Sequence, residues 1–280
     1  MQVFYNIHEL KLKLAEFAFL DKTIGFVPTM GALHDGHVSL INFSKKQCDI
    51  TVCSIFVNPT QFNNSEDLAH YPKTPENDIL LLTNAGCDFL YMPSVDDIYP
   101  TDFHRTFHFG YLETILEGSS RAGHFNGVGQ VVSILFDGVK PHKAFFGSKD
   151  YQQVMVVKAL VKQLNLPIEI VSCPILRESD GLAMSSRNMR LNVQERKVAA
   201  LIPKLMNEVI GMIELLDIEE AKKWMKHQIE NEPLMTLDYF EICDAESLHE
   251  LKEYDSTVST VLLIAVFVGK IRLIDNLLIS

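Results

Sequence analysis

The chain is 280 residues long, 47% hydrophobic and 22% charged, the composition of an ordinary globular protein with length enough for a well-buried core. With 25 Lys and Arg against 36 Asp and Glu, its formal net charge of -11 argues against a basic nucleic-acid-binding face but permits a local cationic pocket for one small anion. The five cysteines (Cys48, Cys53, Cys87, Cys173 and Cys243) are scattered and include no C-x-x-C pair, so reduced, mostly buried thiols in a cytoplasmic compartment are expected.

The opening "MQVFYNIHELKLKLAEF" is charged throughout, lacks the apolar run of a signal peptide and reads as an amphipathic helix. "TIGFVP" (23–28) is a short buried strand, and "HVSLINFSKKQC" then spaces Val38, Leu40, Ile41 and Cys48 as a helix does. "DITVCSIFVNP" (49–59) is a second strand, stopped by Pro59. After a loop rich in Asn, Pro and acidic residues, "PENDILLLTNAG" is a helix ending at Gly86, and "CDFLYMP" is a strand. "GVGQVVSILFDGV" (127–139) reads as a helix, "KAFFGS" (143–148) as a strand, "YQQVMVVKALVKQLN" (151–165) as a helix and "PIEIVSCPIL" (167–176) as a strand.

Continuously apolar strands alternating with helices predict an α/β fold, a Rossmann-like parallel sheet with helices on both faces. Beyond residue 176, charged helices (193–231) and the strand-like "LDYFEICD" and "STVLLIAVFVGKIRLIDN" predict a smaller C-terminal α+β domain. The expected division is 1–176 and 177–280, joined through "RESDGLAMSSRN". The most apolar run, "VLLIAVFVG" (261–269), is well short of the roughly 20 residues that cross a bilayer.

Ligands of open α/β sheets sit at the carboxyl ends of strands, beside helix N-termini. "VPTMGALHDGHVSL" (27–40) occupies such a place. Gly31 and Gly36 open room for a ligand, the helix beginning near His37 offers unpaired N–H groups, and His34 and His37 can donate to phosphate oxygens. The plainer alternative is a pair of turn-stabilising histidines; no partner at metal-ligand spacing is readable, so no metal site is assigned. "FGSKDYQQ" (146–153) sets Gly147, Ser148, Lys149 and Asp150 at another sheet edge, with Lys149 suited to phosphate and Asp150 to a ribose hydroxyl, or else as a solvated loop. "LEGSSRAGHFNGVG" (116–129) places Arg121 and His124 among glycines ahead of a helix. "MSSRN" (184–188) puts two hydroxyls and an arginine in the flexible join, as a polar linker or as a cationic arm closing over a triphosphate.

These stretches resemble one family, the pantoate–β-alanine ligases (pantothenate synthetases). The likeness runs in order through "PTMGALHDGH", "FVNPTQF", "EDLAHYPKT", "LEGSSRAGHFNGV", "FGSKDYQQ", "DGLAMSSRN" and "KIRLIDN", covering nearly the whole chain. The H-x-G-H element alone also marks nucleotidylyltransferases and class I aminoacyl-tRNA synthetases. The resemblance implies two steps: ATP and pantoate give a pantoyl adenylate and pyrophosphate, then the β-alanine amine attacks, releasing pantothenate and AMP. It implies that Met30, Gly31, Ala32, Leu33, His34, Asp35, Gly36 and His37 form the ATP-binding loop, with His37 catalytic and His34 beside the phosphates. Gly147, Ser148, Lys149 and Asp150 would hold the ribose, with Lys149 on phosphate, and Leu176 would meet adenine through its backbone. Met184, Ser185, Ser186 and Arg187 would form a closing arm, with Arg187 sharing in catalysis and the C-terminal domain acting as a lid. Gln61 and Gln153 would bind pantoate, supported by Asn58, Arg121 and His124. Mg2+ on the phosphates and a homodimer are further family expectations; nucleic acid and membrane partners are not.

Two positions depart from the family's pattern. Ser148 stands where "GEKD" carries Glu, and Ala122 stands where "RPGHF" carries Pro, which puts in doubt a carboxylate anchor and the firmness of the Arg121 loop. Two other readings stay open from the residues: a nucleotidylyltransferase, which needs no amine acceptor, and a nucleotide-binding module without catalysis. An intact His34, His37, Lys149 and Arg187 speaks against the second.

Overall fold

The apolar stretches of the first half turn successive side chains to two opposite faces, and both faces are buried. Phe26, Val52, Phe89 and Ala144 belong to one apolar cluster, while their neighbours Val27, Cys53, Leu90 and Phe145 belong to another. A strand buried on both sides has no polar alternation to show, which is why these segments read as unbroken apolar runs. The computed structural model describes residues 1–99, 105–215 and 217–279. It divides into two compact units, Met1–Pro174 and Ile175–Ser280.

In the first unit β1 (Gln2–Phe4), β2 (Ile24–Thr29), β3 (Ile50–Ile55), β4 (Phe89–Tyr91), β5 (Lys143–Gly147) and β6 (Glu169–Cys173) form one sheet. The order is β1-β4-β3-β2-β5-β6 and every pairing is parallel. The helices are α1 (Ile7–Ala18), α2 (Asp35–Gln47), α3 (Ser65–Ala69), α4 (Pro75–Asn84), α5 (Val95–Ile98), α6 (Leu116–Ser120), α7 (His124–Val139) and α8 (Tyr151–Gln163). Leu40 and Ile41 of α2 and Leu82 of α4 pack on one face of the sheet. Leu10 and Leu14 of α1, Leu135 and Phe136 of α7 and Val156 and Leu160 of α8 pack on the other. The opening segment differs from its expected reading: a three-residue strand precedes the helix and pairs with β4, from Gln2 opposite Phe89 to Phe4 opposite Tyr91.

This strand order sets the position of the site. The chain leaves β2 toward β3 and β4 on one side and later returns to place β5 and β6 on the other, so β2 and β5 flank the switch point. Their ladder covers Gly25–Lys143 and Phe26–Ala144, whereas β2 stays paired with β3 as far as Thr29–Ile55. The two central strands thus part toward their carboxyl ends, and the loops after them, 30–34 and 148–150, flank the opening.

The second unit carries α9 (Val193–Ala199), α10 (Leu201–Ile213), α11 (Ile218–Glu230) and an antiparallel sheet of β7 (Met235–Asp244), β8 (Thr260–Val268) and β9 (Ile271–Ile279) in that order. Met206 and Val209 of α10 and Met225 and Ile229 of α11 pack with Leu262, Ile264 and Val266 of β8. No helix among the described residues is long and apolar enough to cross a membrane. All five cysteines are free and buried.

Candidate active site

The loop after β2 turns through two left-handed residues, Gly31 at φ +82° and Ala32 at φ +49°. Glycine is required at the first, because a Cβ there would lie 3.0 Å from Ile55 Cγ2 and 3.1 Å from Asp78 Oδ2. Asp78, buried in the first turns of α4, receives the turn: its Oδ2 accepts from Ala32 N–H at 2.9 Å and its Oδ1 from Leu33 N–H at 2.8 Å. Thr74 donates to the same carboxylate at 2.9 Å. Sequence reasoning missed Asp78, because nothing local marks an aspartate inside a helix as the partner of a loop some 45 residues earlier.

The two imidazoles of the loop cap α2. His34 is its N-cap, and its Nδ1 accepts from Gly36 N–H at 3.1 Å. His37 occupies the third helical position and its Nδ1 accepts from His34 N–H at 3.3 Å, completing a capping box with histidine in both roles. The rings lie 4.2 Å apart between centroids. Since each Nδ1 accepts a main-chain N–H, each neutral ring carries its proton on Nε2. Burial, with His34 and Lys149 adding to it, pushes His37 down to about 3, so this imidazole is neutral near pH 7. The turn-stabilising and donating readings of these histidines are therefore compatible, one through Nδ1 and one through Nε2.

One expectation needs correction. The start of α2 is not a row of unpaired amides: Gly31 N–H donates to Thr29 Oγ1, Ala32 and Leu33 to Asp78, His34 to His37, Gly36 to His34, and His37 to the His34 carbonyl. The capping box engages Nδ1 of each imidazole and makes no use of Nε2.

Beside it lies a second cluster built on Gln61, which follows β3 in a single 3-10 turn, Pro59–Gln61. Gln61 Nε2 contacts Met30 Sδ at 3.0 Å, joining this cluster to the β2 loop. Its Oε1 accepts from Asn58 Nδ2 at 3.0 Å, and Asn58 also donates to the Gly127 carbonyl at 3.1 Å. Tyr99, unsuspected from the sequence, fixes Asn58 by donating to its Oδ1 at 2.8 Å. A Cβ on Gly127 would fall 2.6 Å from the Thr60 carbonyl carbon, so glycine lets α7 approach this turn.

His124 is not ahead of the helix, as expected, but is the first residue of α7. Its Nδ1 lies 2.8 Å from the Gln61 carbonyl, and Arg121 donates to the same carbonyl at 3.2 Å. Arg121 also meets His124 Nε2 at 3.1 Å and Glu117 at 3.5 Å. A guanidinium has no acceptor, so His124 accepts through Nε2 and donates through Nδ1. Burial and the Arg121 charge push His124 down to about 3. Arg121 and His124 thus both contact the main-chain carbonyl of Gln61. The Ala122 carbonyl accepts from Asn63.

The loop after β5 is a 3-10 turn, Ser148–Asp150, leading into α8. Lys149 is near enough to His37 to contribute to its lowering, and Asp150 near enough to His124 to oppose the lowering there. Of the paired glutamines, Gln152 is buried and bonded to Leu112, Ile115 and Glu117 of the chain, whereas Gln153 is half-buried. The first unit thus brings together the expected residues Met30 to His37, Asn58, Gln61, Arg121, His124 and Gly147 to Asp150.

In the second unit, Leu176, Met184, Ser185, Ser186 and Arg187 lie in a segment tied into that unit, not in a flexible join. Met184 N–H donates to the Leu176 carbonyl at 3.0 Å, and Arg177 forms a bidentate pair with the buried Asp275 at 2.7 and 3.0 Å. Asn188 donates to Glu178 at 2.9 Å and to the Ala183 carbonyl at 3.1 Å. Ser185 caps the 3-10 turn Ser186–Arg190.

Among the described residues no group of three or more His, Cys, Asp or Glu side chains is placed to hold a metal ion. Asp78, the buried carboxylate nearest the loop, is committed to two amides and a hydroxyl. The donor set does not fit a magnesium ion held by the chain itself; magnesium arriving on nucleotide phosphates would keep mainly phosphate and water ligands.

The profile of the family described as Pantoate-beta-alanine ligase matches residues 2–278. The chain is 46% identical over 277 residues to "Pantothenate synthetase" of Porphyromonas gingivalis, covering 99% of both chains. It is 47% identical over 276 residues to that of Cytophaga hutchinsonii, covering 98% of both. The crystal structure of pantothenate synthetase from Thermus thermophilus superposes with a TM-score of 0.91 at 38% identity, covering 99% of both chains. Pantoate-beta-alanine ligase from Francisella tularensis, "complexed with Beta-gamma ATP and Beta-alanine", matches with a TM-score of 0.81 at 36% identity, covering 99% of this chain and 97% of that one. Agreement over the full length, in sequence and in fold, leaves one conclusion: the chain is an enzyme of the pantoate–β-alanine ligase family.

Proposed function

We propose that the chain condenses pantoate with β-alanine at the expense of ATP through an enzyme-held pantoyl adenylate. A pantoate carboxylate oxygen attacks the α-phosphorus and pyrophosphate leaves with the bonding pair. The neutral β-alanine amine then attacks the acyl carbon, the acyl–oxygen bond breaks with its electron pair staying on the phosphate oxygen of AMP, and the nitrogen releases a proton to solvent to give pantothenate. Holding carboxylate and α-phosphorus in line can supply roughly 7–11 kcal/mol of the barrier.

In this reading the Nε2–H groups of His34 and His37 donate to phosphate oxygens and strengthen as charge develops on them, with the Lys149 ammonium beside them. A neutral imidazole with its proton on Nε2 is the right species, because it donates without first being protonated. Gln61 presents its Nε2 to the pantoate carboxylate, and Gln153 contributes a second amide. Asn58, Arg121 and His124 act through Gln61: one orients its side chain and two fix its carbonyl. Gly147, Ser148 and Asp150 take the ribose. For Leu176, Met184, Ser185, Ser186 and Arg187, nucleotide contacts are proposed on the family's motifs. Mg2+ is proposed as a companion of ATP, a cytoplasmic location is supported by five reduced thiols, and a second copy of the chain is the proposed partner.

The observation that carries the reading is the contact between the two clusters. Gln61 reaches Met30 at 3.0 Å, so an acid held by the amide lies beside the loop that carries both imidazole donors. The test is ATP–pyrophosphate isotope exchange with pantoate and without β-alanine. Pantoate-dependent exchange is expected. Exchange that requires a phosphorylated acceptor instead, or none with any acid, contradicts it.

A further inference from the structure

We propose that Asp78 is a positioning residue of this active site: its carboxylate clamps the turn at Ala32 and Leu33 and thereby sets where the His34 and His37 imidazoles stand. The inference rests on the adenylation reading above and goes beyond it by naming what holds the donors in place.

Three observations carry it. First, both carboxylate oxygens are engaged by consecutive main-chain amides, Ala32 at 2.9 Å and Leu33 at 2.8 Å, in a side chain only 1% exposed. A carboxylate that accepts two neighbouring amides fixes the peptide planes between them, not merely the distance between two segments. Second, Thr74 stands at the N-cap of α4, where threonine ordinarily accepts from the helix, yet it makes no cap bond and donates to Asp78 at 2.9 Å. The helix start is left uncapped and its threonine steadies the carboxylate instead. Third, the clamped turn runs through Gly31 and Ala32, both left-handed, directly into the capping box of His34 and His37. Ala32 holds this conformation without the freedom of glycine, so an external constraint is needed there. The clamp lies immediately before the N-cap, and a shift of the turn passes to both rings, because each Nδ1 takes its orientation from a main-chain N–H of the same segment.

The experiment compares wild type with Asp78→Asn, which keeps the shape but replaces one acceptor oxygen with a donor, and with Thr74→Val, which removes only the hydroxyl. Two readouts are taken on the folded protein: turnover in pantoate-dependent ATP–pyrophosphate exchange, and the 15N imidazole spectrum of His34 and His37. The expected result for Asp78→Asn is a 10- to 100-fold loss of exchange turnover, roughly the scale of an ångström-sized misplacement. KM for ATP should stay within about threefold, and the imidazole spectrum should change from the Nε2–H tautomer toward a mixture. Thr74→Val should show the same changes, smaller. Unchanged turnover in both variants overturns the inference. So does a loss of activity that only follows the loss of folded protein while the remaining imidazole signals are those of wild type. Should wild type itself fail to exchange, the adenylation reading falls, while the imidazole spectra still decide whether Asp78 positions the rings.

Discussion

The main-chain N–H of His34 donates to Nδ1 of His37 at 3.3 Å, and this bond determines which nitrogen of His37 is left to meet a substrate. An imidazole at the third position of a helix does the work usually given to glutamate in a capping box, while its far nitrogen keeps a proton to donate. The two functions can be separated. Asparagine at 37 retains an acceptor near the Nδ1 position and lacks the distant donor. His37→Asn should therefore leave Tm within about 3 °C of wild type but lower exchange turnover by roughly 10²–10³, the loss that follows removal of one preorganised donor. Comparing thermal melts with initial rates checks it; equal rates would remove His37 from the chemistry.

The Gln61 side chain owes its orientation to Asn58, which faces it with a donor at 3.0 Å. Asn58→Asp replaces that donor with a carboxylate oxygen opposed to Gln61 Oε1 and the Gly127 carbonyl, a like-polarity contact in a buried place. Weaker binding of the acid is expected, with KM for pantoate raised about 10-fold or more and KM for ATP changed little, since losing a buried polar contact of this kind costs about 1–3 kcal/mol. Steady-state kinetics with each substrate varied in turn will show whether the effect falls on pantoate.

His124 supplies a pH signature. Burial and Arg121 lower its pKa to about 3 from an ordinary 6.5, so the unfolded chain binds a proton that the folded one refuses between those values. Stability contributed by neutral His124 is present above pH 6.5 and is lost progressively as pH falls toward 3, on the order of 5 kcal/mol at most. Asparagine, which keeps a donor for the Gln61 carbonyl but does not titrate, should flatten this slope. Urea melts of wild type and His124→Asn at pH 7, 6, 5 and 4 test the sign: a wild-type curve as flat as the variant's would refute it.

The second unit makes its own prediction. Arg177 and Asp275 pair bidentately with Asp275 buried, and Arg177 also donates to the carbonyls of Gly181 and Asn276. Lysine cannot reproduce that fork, so Arg177→Lys should cost about 2–4 kcal/mol, mostly through an imperfectly paired buried carboxylate. Hydrogen exchange should show the 176–190 segment losing protection first; protection equal to wild type there would contradict the role assigned to the pair.

The inner strands were legible because they are buried on both faces, so that "ITVCSI" and "KAFFG" betray themselves as unbroken apolar runs. β1 was not, since "QVF" is three residues in a charged opening and becomes a strand only by pairing with Phe89 to Tyr91, far along the chain. The same division holds at the site. His34, His37, Gln61 and Lys149 stand in recognisable strings, and the resemblance named them. Asp78 and Tyr99 do not, because their parts are played across loops and depend on tertiary contacts that no local pattern encodes. The helix start near His37 illustrates a third case: the rule that such amides bind anions is sound, but here the two histidines take the His34 and Gly36 amides, and Asp78 takes two amides of the loop before them.

The route of one oxygen atom tests the central claim most directly. With pantoate labelled with 18O in its carboxylate, turnover with ATP and β-alanine should place one labelled oxygen in AMP for each pantothenate formed, because the bond made to the α-phosphorus is retained when the acyl–oxygen bond breaks. Unlabelled AMP, with the label carried into pyrophosphate or inorganic phosphate, would contradict the account.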